Sequence, residues 1–284
     1  MSWWCSATRE PWSWAFRAYP GIWVAMLTLI AGYAWSWHRH HRGGRPIAPG
    51  DRRKRWWFAL GMAVLWLATD WPLGTLGAGY LATAHMVQYM LYTLVAAPLL
   101  LLGIPDWMVR PAVERFRLGP ALRFLARPVV AGISYNLVLI ATHAPFTVDT
   151  FRSSQLGSML LDLTWLLSGL LLWTPLASPL RELRHPSPAV QCVYLFLAAG
   201  AIAMVPGGML TFADFPLYRT YELAPRVYGL SASDDQQMAG ILMKIGNIPI
   251  VWTVIFVIFV RWAMRDGGAT RPAAMATSAG SRSG

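Results

Sequence analysis

Apolar residues recur along this chain in windows of about twenty, the length that spans a bilayer at 1.5 Å per residue, with short polar connections between them. Seven windows stand out, at Ala18 to Trp37, Trp56 to Trp71, Tyr80 to Gly103, Pro128 to Thr142, Leu156 to Leu176, Val190 to Met209 and Gln236 to Trp262. The second and fourth are the shortest. No connection is long enough to hold a separate soluble domain, so the pattern predicts an all-α integral membrane protein, a bundle of seven transmembrane helices over residues 18–265. An external segment, 1–17, precedes it. A tail, 266–284, rich in Gly, Ala, Ser and Thr, follows it and is expected to be disordered.

Charge placement gives this bundle a direction, because Lys and Arg accumulate in short cytoplasmic loops. Arg39, Arg42, Arg45, Arg52, Arg53, Lys54 and Arg55 fall between the first two windows; Arg110, Arg115, Arg117, Arg123 and Arg127 lie between the third and fourth. Arg181 and Arg184, then Arg261 and Arg265, continue the same side. The opposite side carries only Arg9, Arg17, Arg152, Arg219 and Arg226. The N-terminus is therefore expected outside and the C-terminus in the cytoplasm. The net charge of +11 is then a topology signal, with anionic lipid as its natural contact, and calls for no nucleic acid. Composition agrees: 56% of residues are hydrophobic and 13% charged. Of the sixteen tryptophans, Trp3, Trp4, Trp12 and Trp14 precede the first window and read as an interfacial belt.

Polar side chains inside the windows are the next signal, since an ionisable group in hydrocarbon normally faces a bundle interior or a cavity. With the N-terminus outside, His85 lies about a turn and a half into the third window, His143 at the outer end of the fourth, and Asp162 nearly two turns into the fifth. Asp235 and Gln236 open the last window, with Met243 and Lys244 two turns deeper. All share the outer half of the membrane. His85 and His143 suit copper, and Met86 and Met90, a turn apart beside His85, add soft-metal character. Equally, His85 could bond a neighbouring helix and His143 could cap a helix end. Asp162 and Lys244, opposite charges at similar depth, read first as an ion pair. Cys5 and Cys192 lie on opposite sides and cannot pair. Neither sits in a spaced ligand motif, and no hydrolytic or phosphate-binding motif is present, so an enzyme is not expected. The connection from Gly207 to Asp235 is placed to cap the outer mouth.

These residues stand in strings that resemble the CtaG family of cytochrome c oxidase assembly factors. His85-Met86-Val87-Gln88 with Met90-Leu91, and the run Ala97 to Pro105, look like the family's third-helix signature. His143-Ala144-Pro145 with Asp149, then Gly169, Trp173 and Pro175, then Pro216-Leu217-Tyr218, and finally Asp235 to Met243 are similar to further family strings, in order, across Leu81 to Trp262. The resemblance implies a bacterial plasma-membrane protein that helps deliver copper to the catalytic subunit of a haem-copper oxidase, in company with a periplasmic copper chaperone. It implies His85 and His143 as ligands or transfer residues, Met86, Met90 and Met243 as soft auxiliaries, and Asp235 and Gln236 as shapers of the cavity mouth. This chain departs from the family pattern in three places: Tyr89 and Asp162 stand where histidines are usual, and Lys244 where Trp is usual. An ionic contact in place of part of the metal site is what these departures suggest. A non-metal scaffold, or less readily a copper or small-solute transporter, is the rival expectation; a transporter built on inverted repeats would show an internal repeat, and none is visible.

Overall fold

The computed structural model describes residues 2–43, 50–202 and 204–269, with side chains as far as Arg265. Arg45 and the expected disordered tail beyond 269 lie outside the described residues. Among the described residues every regular element is helical. The long helices are α1 (Pro20–Arg42) and α2 (Asp51–Thr69), with short α3 (Leu73–Gly79) after them. Then follow α4 (Ala82–Gly103), α5 (Asp106–Arg115), α6 (Gly119–Leu125), α7 (Pro128–Thr142), α8 (Pro145–Arg152) and α9 (Gln155–Ala177). The last four are α10 (Pro188–Phe212), α11 (Arg219–Glu222), α12 (Ala232–Ile245) and α13 (Ile248–Ala269).

Each of the seven apolar windows falls on one or more of these helices. Among the described residues four stretches, α4, α9, α10 and the run Ala232–Arg265, are long and apolar enough to cross a membrane, and α6 with α7 adds a fifth if that pair, bent by 75°, is one span. In α1 the Trp, Tyr, Gly and Pro residues, and in α2 the charged start Asp51 to Arg55, dilute the hydropathy.

Helix ends follow the local chemistry of the sequence. Pro128 and Pro145 occupy the first turns of α7 and α8, where a missing N–H costs nothing. Ser154 caps α9 by accepting from the Gly157 N–H at 3.0 Å, and Ser231 caps α12 by accepting from Asp234 at 3.1 Å.

Helix α4 runs through the middle, touched by α2, α3, α9 and α12. Residues Leu91–Ala96 form a π-helical stretch within it. This widened turn sits against α9 at Gly169, where an added Cβ would come within 2.7 Å of Thr93 Cα. Close approach of small residues is how helices pack where lipid removes most of the hydrophobic drive. The Trp173 indole, one turn further, donates to the Thr93 carbonyl at 2.9 Å. The π-helix is thus fitted to α9 by one glycine and one tryptophan. Gly169→Val is expected to lower the unfolding free energy by about 1–3 kcal/mol, the usual effect of overpacking, measured by thermal unfolding in detergent.

Candidate functional site

The first turn of α4 is held by Asp235 from α12. Its carboxylate accepts from the backbone N–H groups of Ala82 (2.6 Å) and Thr83 (3.0 Å), while the Thr83 hydroxyl donates back to the Asp235 carbonyl (3.0 Å). A carboxylate at a helix N-terminus satisfies orphan donors and the helix dipole together. Gln236 ties the same corner to the preceding connection, accepting from Leu217 N–H at 2.6 Å and donating to the Phe215 carbonyl at 3.2 Å. These contacts fix where His85, one turn on, must point.

His85 is completely buried. Its Nδ1 lies 2.7 Å from the Tyr221 hydroxyl, which lies 2.6 Å from the Gly77 carbonyl. A carbonyl can only accept, so both contacts are satisfied when the phenol donates to Gly77 and His85 Nδ1–H donates to the phenol. His143, 4% exposed, ends α7 and places its Nδ1 2.8 Å from the Leu139 carbonyl, which again makes Nδ1 the protonated nitrogen. The two Nε2 atoms are then bare lone pairs. Both are buried, and neither has a hydrogen-bond partner. The rings stand 5.8 Å apart between centroids, enclosed by Trp165, which is 4.8 Å from His85 and 5.9 Å from His143. Tyr89 presents its ring to His143 at 4.6 Å, while its hydroxyl turns away to donate to Tyr135 at 2.6 Å.

Beside the histidines lies an ion pair the charge pattern did not anticipate. Arg152, at the end of α8, is fully buried, and its Nη1 is 3.1 Å from Asp162 Oδ1. The angle at this contact falls outside hydrogen-bond geometry, so the attraction is ionic. Nη2 donates to Gln88 Oε1 at 3.1 Å and stands 3.5 Å from His85 Nδ1, a contact that the Nδ1–H tautomer leaves without a hydrogen bond, and the guanidinium lies 5.1 Å from the centre of the Trp165 ring. The Trp4 indole completes the carboxylate, donating to Asp162 Oδ2 at 2.9 Å.

Two expectations are corrected here. Asp162 pairs with Arg152, not Lys244; the ammonium of Lys244 lies 4.7 Å from the Phe212 ring centre and its stem packs near Gly207. The reason is α8, a short helix that turns back into the bundle and buries an arginine whose position in sequence suggests the outer surface. Trp4 likewise leaves the expected interfacial belt, being only 6% exposed, whereas Trp14 is 56% exposed.

The N-terminal segment closes the site from above. The Ala7 N–H donates to the Arg152 carbonyl at 2.8 Å, and Gln155 accepts from the Trp3 and Trp4 N–H groups at 2.7 and 3.3 Å. The Cys5 thiol donates to the Thr69 carbonyl at 3.4 Å; burial pushes its pKa up, so it stays protonated and poor as a ligand. On the other flank the connection before α12 covers the histidines, with Tyr218 donating to the His143 carbonyl at 2.9 Å.

Among the sequence-expected residues, the structure gathers His85, His143, Tyr89 and Asp162 in one centre and uses Asp235 and Gln236 as its fastenings. Met86 is buried on α4, Met90 reaches towards Gly246, and Met243 packs at Gly207. Among the described residues no group of three or more His, Cys, Asp or Glu is placed to hold a metal ion. Sequence reasoning missed Arg152, Trp4, Trp165, Gln88 and Tyr221. Two carried a usable signal, since Gln88 and Trp165 each follow a chosen polar residue by three positions and so share its helix face.

A buried polar centre among several helices long and apolar enough to cross a membrane, closed by the N-terminal segment, marks a multi-pass helical membrane protein. The family profile of the cytochrome c oxidase caa3 assembly factors, Caa3_CtaG, matches residues 31–265, and the chain belongs to that family. No curated relative and no solved structure matches it.

The ion pair generates a direct prediction. Removing one partner strands a buried charge, so Arg152→Met or Asp162→Leu alone is expected to cost about 3–5 kcal/mol. The double variant is expected to recover more than half of that loss. A double-mutant cycle from thermal unfolding in detergent checks both; additive losses would show that the two side chains do not interact.

Proposed function

We propose that this chain is a seven-span protein of the bacterial plasma membrane, N-terminus outside, that assists the insertion of copper into the catalytic subunit of a haem-copper oxidase. Membership in the caa3 assembly factor family supports the process. The observation that carries the copper role is the pair of buried His85 and His143 rings, each held by an Nδ1–H bond and each with an unpartnered Nε2.

That pattern is how proteins present imidazole to a metal, with the far nitrogen bonded so that the near lone pair is aimed and basic. Two neutral imidazoles fall short of the four ligands usual for structural zinc, whereas cuprous ion accepts a low coordination number. Copper here is cargo. Arg152, neutralised by Asp162, keeps net charge near zero around the histidines. Such a site holds a monovalent ion weakly enough to pass it on to the oxidase, and a periplasmic copper chaperone is the fitting donor. The role is one of binding and transfer, without a catalysed reaction. Met86, Met90 and Met243 are soft donors available along the route.

His85→Ala and His143→Ala are each expected to lower the copper content of the oxidase in membranes several-fold, with haem content unchanged. Equal copper content in wild type and both variants would leave the scaffold reading, in which Arg152 and Asp162 merely lock the bundle.

A further inference from the structure

A groove separate from the histidine centre lies between α1 and α2. The helices meet at one end, where the Trp23 indole donates to Asp70 at 2.7 Å, and at the other, where Arg55 Nη2 lies 3.2 Å from His41 Nε2. Between those contacts they part, leaving a space of about 650 Å³ that runs from Ile30 and Trp66 to His41 and Arg55. Its floor is the stacked pair Tyr33 and Phe58, whose ring centroids are 3.7 Å apart.

The dimensions and charge select an occupant. Ile30 to His41 is eleven helical steps, as is Arg55 to Trp66, a rise of about 16 Å, which is half the hydrocarbon thickness of a bilayer. The groove is therefore as long as one leaflet. Its mouth carries a cation already in position, with the Arg55 guanidinium 4.4 Å from the Trp37 ring centre. Lys54 takes Asp51 at 3.5 Å, and among the described residues no carboxylate forms an ion pair with Arg55. Arg39, Arg42, Arg52 and Arg53 stand at the same ends of the two helices.

We propose that the α1–α2 groove is a binding site for one anionic phospholipid, its acyl chain lying along Tyr33 and Phe58 and its phosphate at Arg55 and His41. Any lipid chain would fill the apolar part. The basic mouth makes the site selective for a headgroup of net negative charge, because a zwitterionic headgroup carries its own cation against Arg55.

Native mass spectrometry of the full-length protein in detergent, titrated with phosphatidylglycerol or phosphatidylcholine of identical chains, tests this. Wild type is expected to retain phosphatidylglycerol about fivefold more strongly, the effect of one basic side chain at a membrane surface. Arg55→Gln should reduce that ratio to about one, and Ala59→Trp, which fills the groove and leaves the charges, should weaken both lipids. Melting temperatures establish that each variant is folded; if Ala59→Trp is not, Arg55→Gln decides. Equal retention of the two lipids by wild type, or an unchanged preference in folded Arg55→Gln, overturns the proposal. So does displacement of the lipid by soluble glycerol phosphate, which would mean a headgroup site that does not use the groove.

Discussion

The Arg152–Asp162 ion pair is the constraint on which the rest of this molecule depends. Neither charge touches solvent, and each is tolerable only because the other is there. The pair requires α8 to fold inward from the end of α7, α9 to present Asp162 opposite it, and Trp4 to bring an indole N–H to the remaining carboxylate oxygen. One electrostatic demand thereby joins two consecutive helices to an N-terminal segment about 150 residues away in sequence. It also explains why the N-terminal segment is ordered: its Trp3, Trp4, Cys5 and Ala7 bonds all fall around the roof of that pair.

The histidines inherit their geometry from this frame. Arg152 gives a donor to Gln88 and stands beside His85; Trp165, three residues after Asp162, lies under the guanidinium and walls both imidazoles. On the opposite flank Asp235 fixes the start of α4, and Tyr221 orients the His85 ring. Tyr221 and the Leu139 carbonyl engage the Nδ1 atoms, and no polar group bonds either Nε2. A buried acceptor without a partner costs stability, so its occurrence twice in one small space argues for a task that needs it.

Much of this was legible in the sequence. Apolar windows located the helices, because burial and lipid exposure demand the same residues in any long membrane helix, and five ordered strings pointed to the family. His85, His143 and Asp162 were identifiable as a group from shared depth, and Tyr89 joined them only through the family comparison. Depth does not give rotation about the bundle, however, and so Lys244 was matched to Asp162 although it faces Phe212. Arg152 escaped because charge counting treats an arginine next to a window as surface. Only the short, proline-started α8 betrays the turn inward, and nothing in its composition states which way it folds. Trp4 escaped for the same reason: an interfacial tryptophan and one that caps a buried carboxylate look alike as letters.

The proposed copper role rests on two buried imidazole nitrogens without a hydrogen-bond partner. X-ray absorption at the copper edge of the purified full-length protein, loaded with one equivalent of cuprous ion, tests that claim most directly. The account predicts retained copper with a low-coordinate shell of imidazole nitrogen, lost when both His85 and His143 are replaced by alanine. Copper that washes away from folded wild-type protein, or a shell unchanged by removing both histidines, would contradict it.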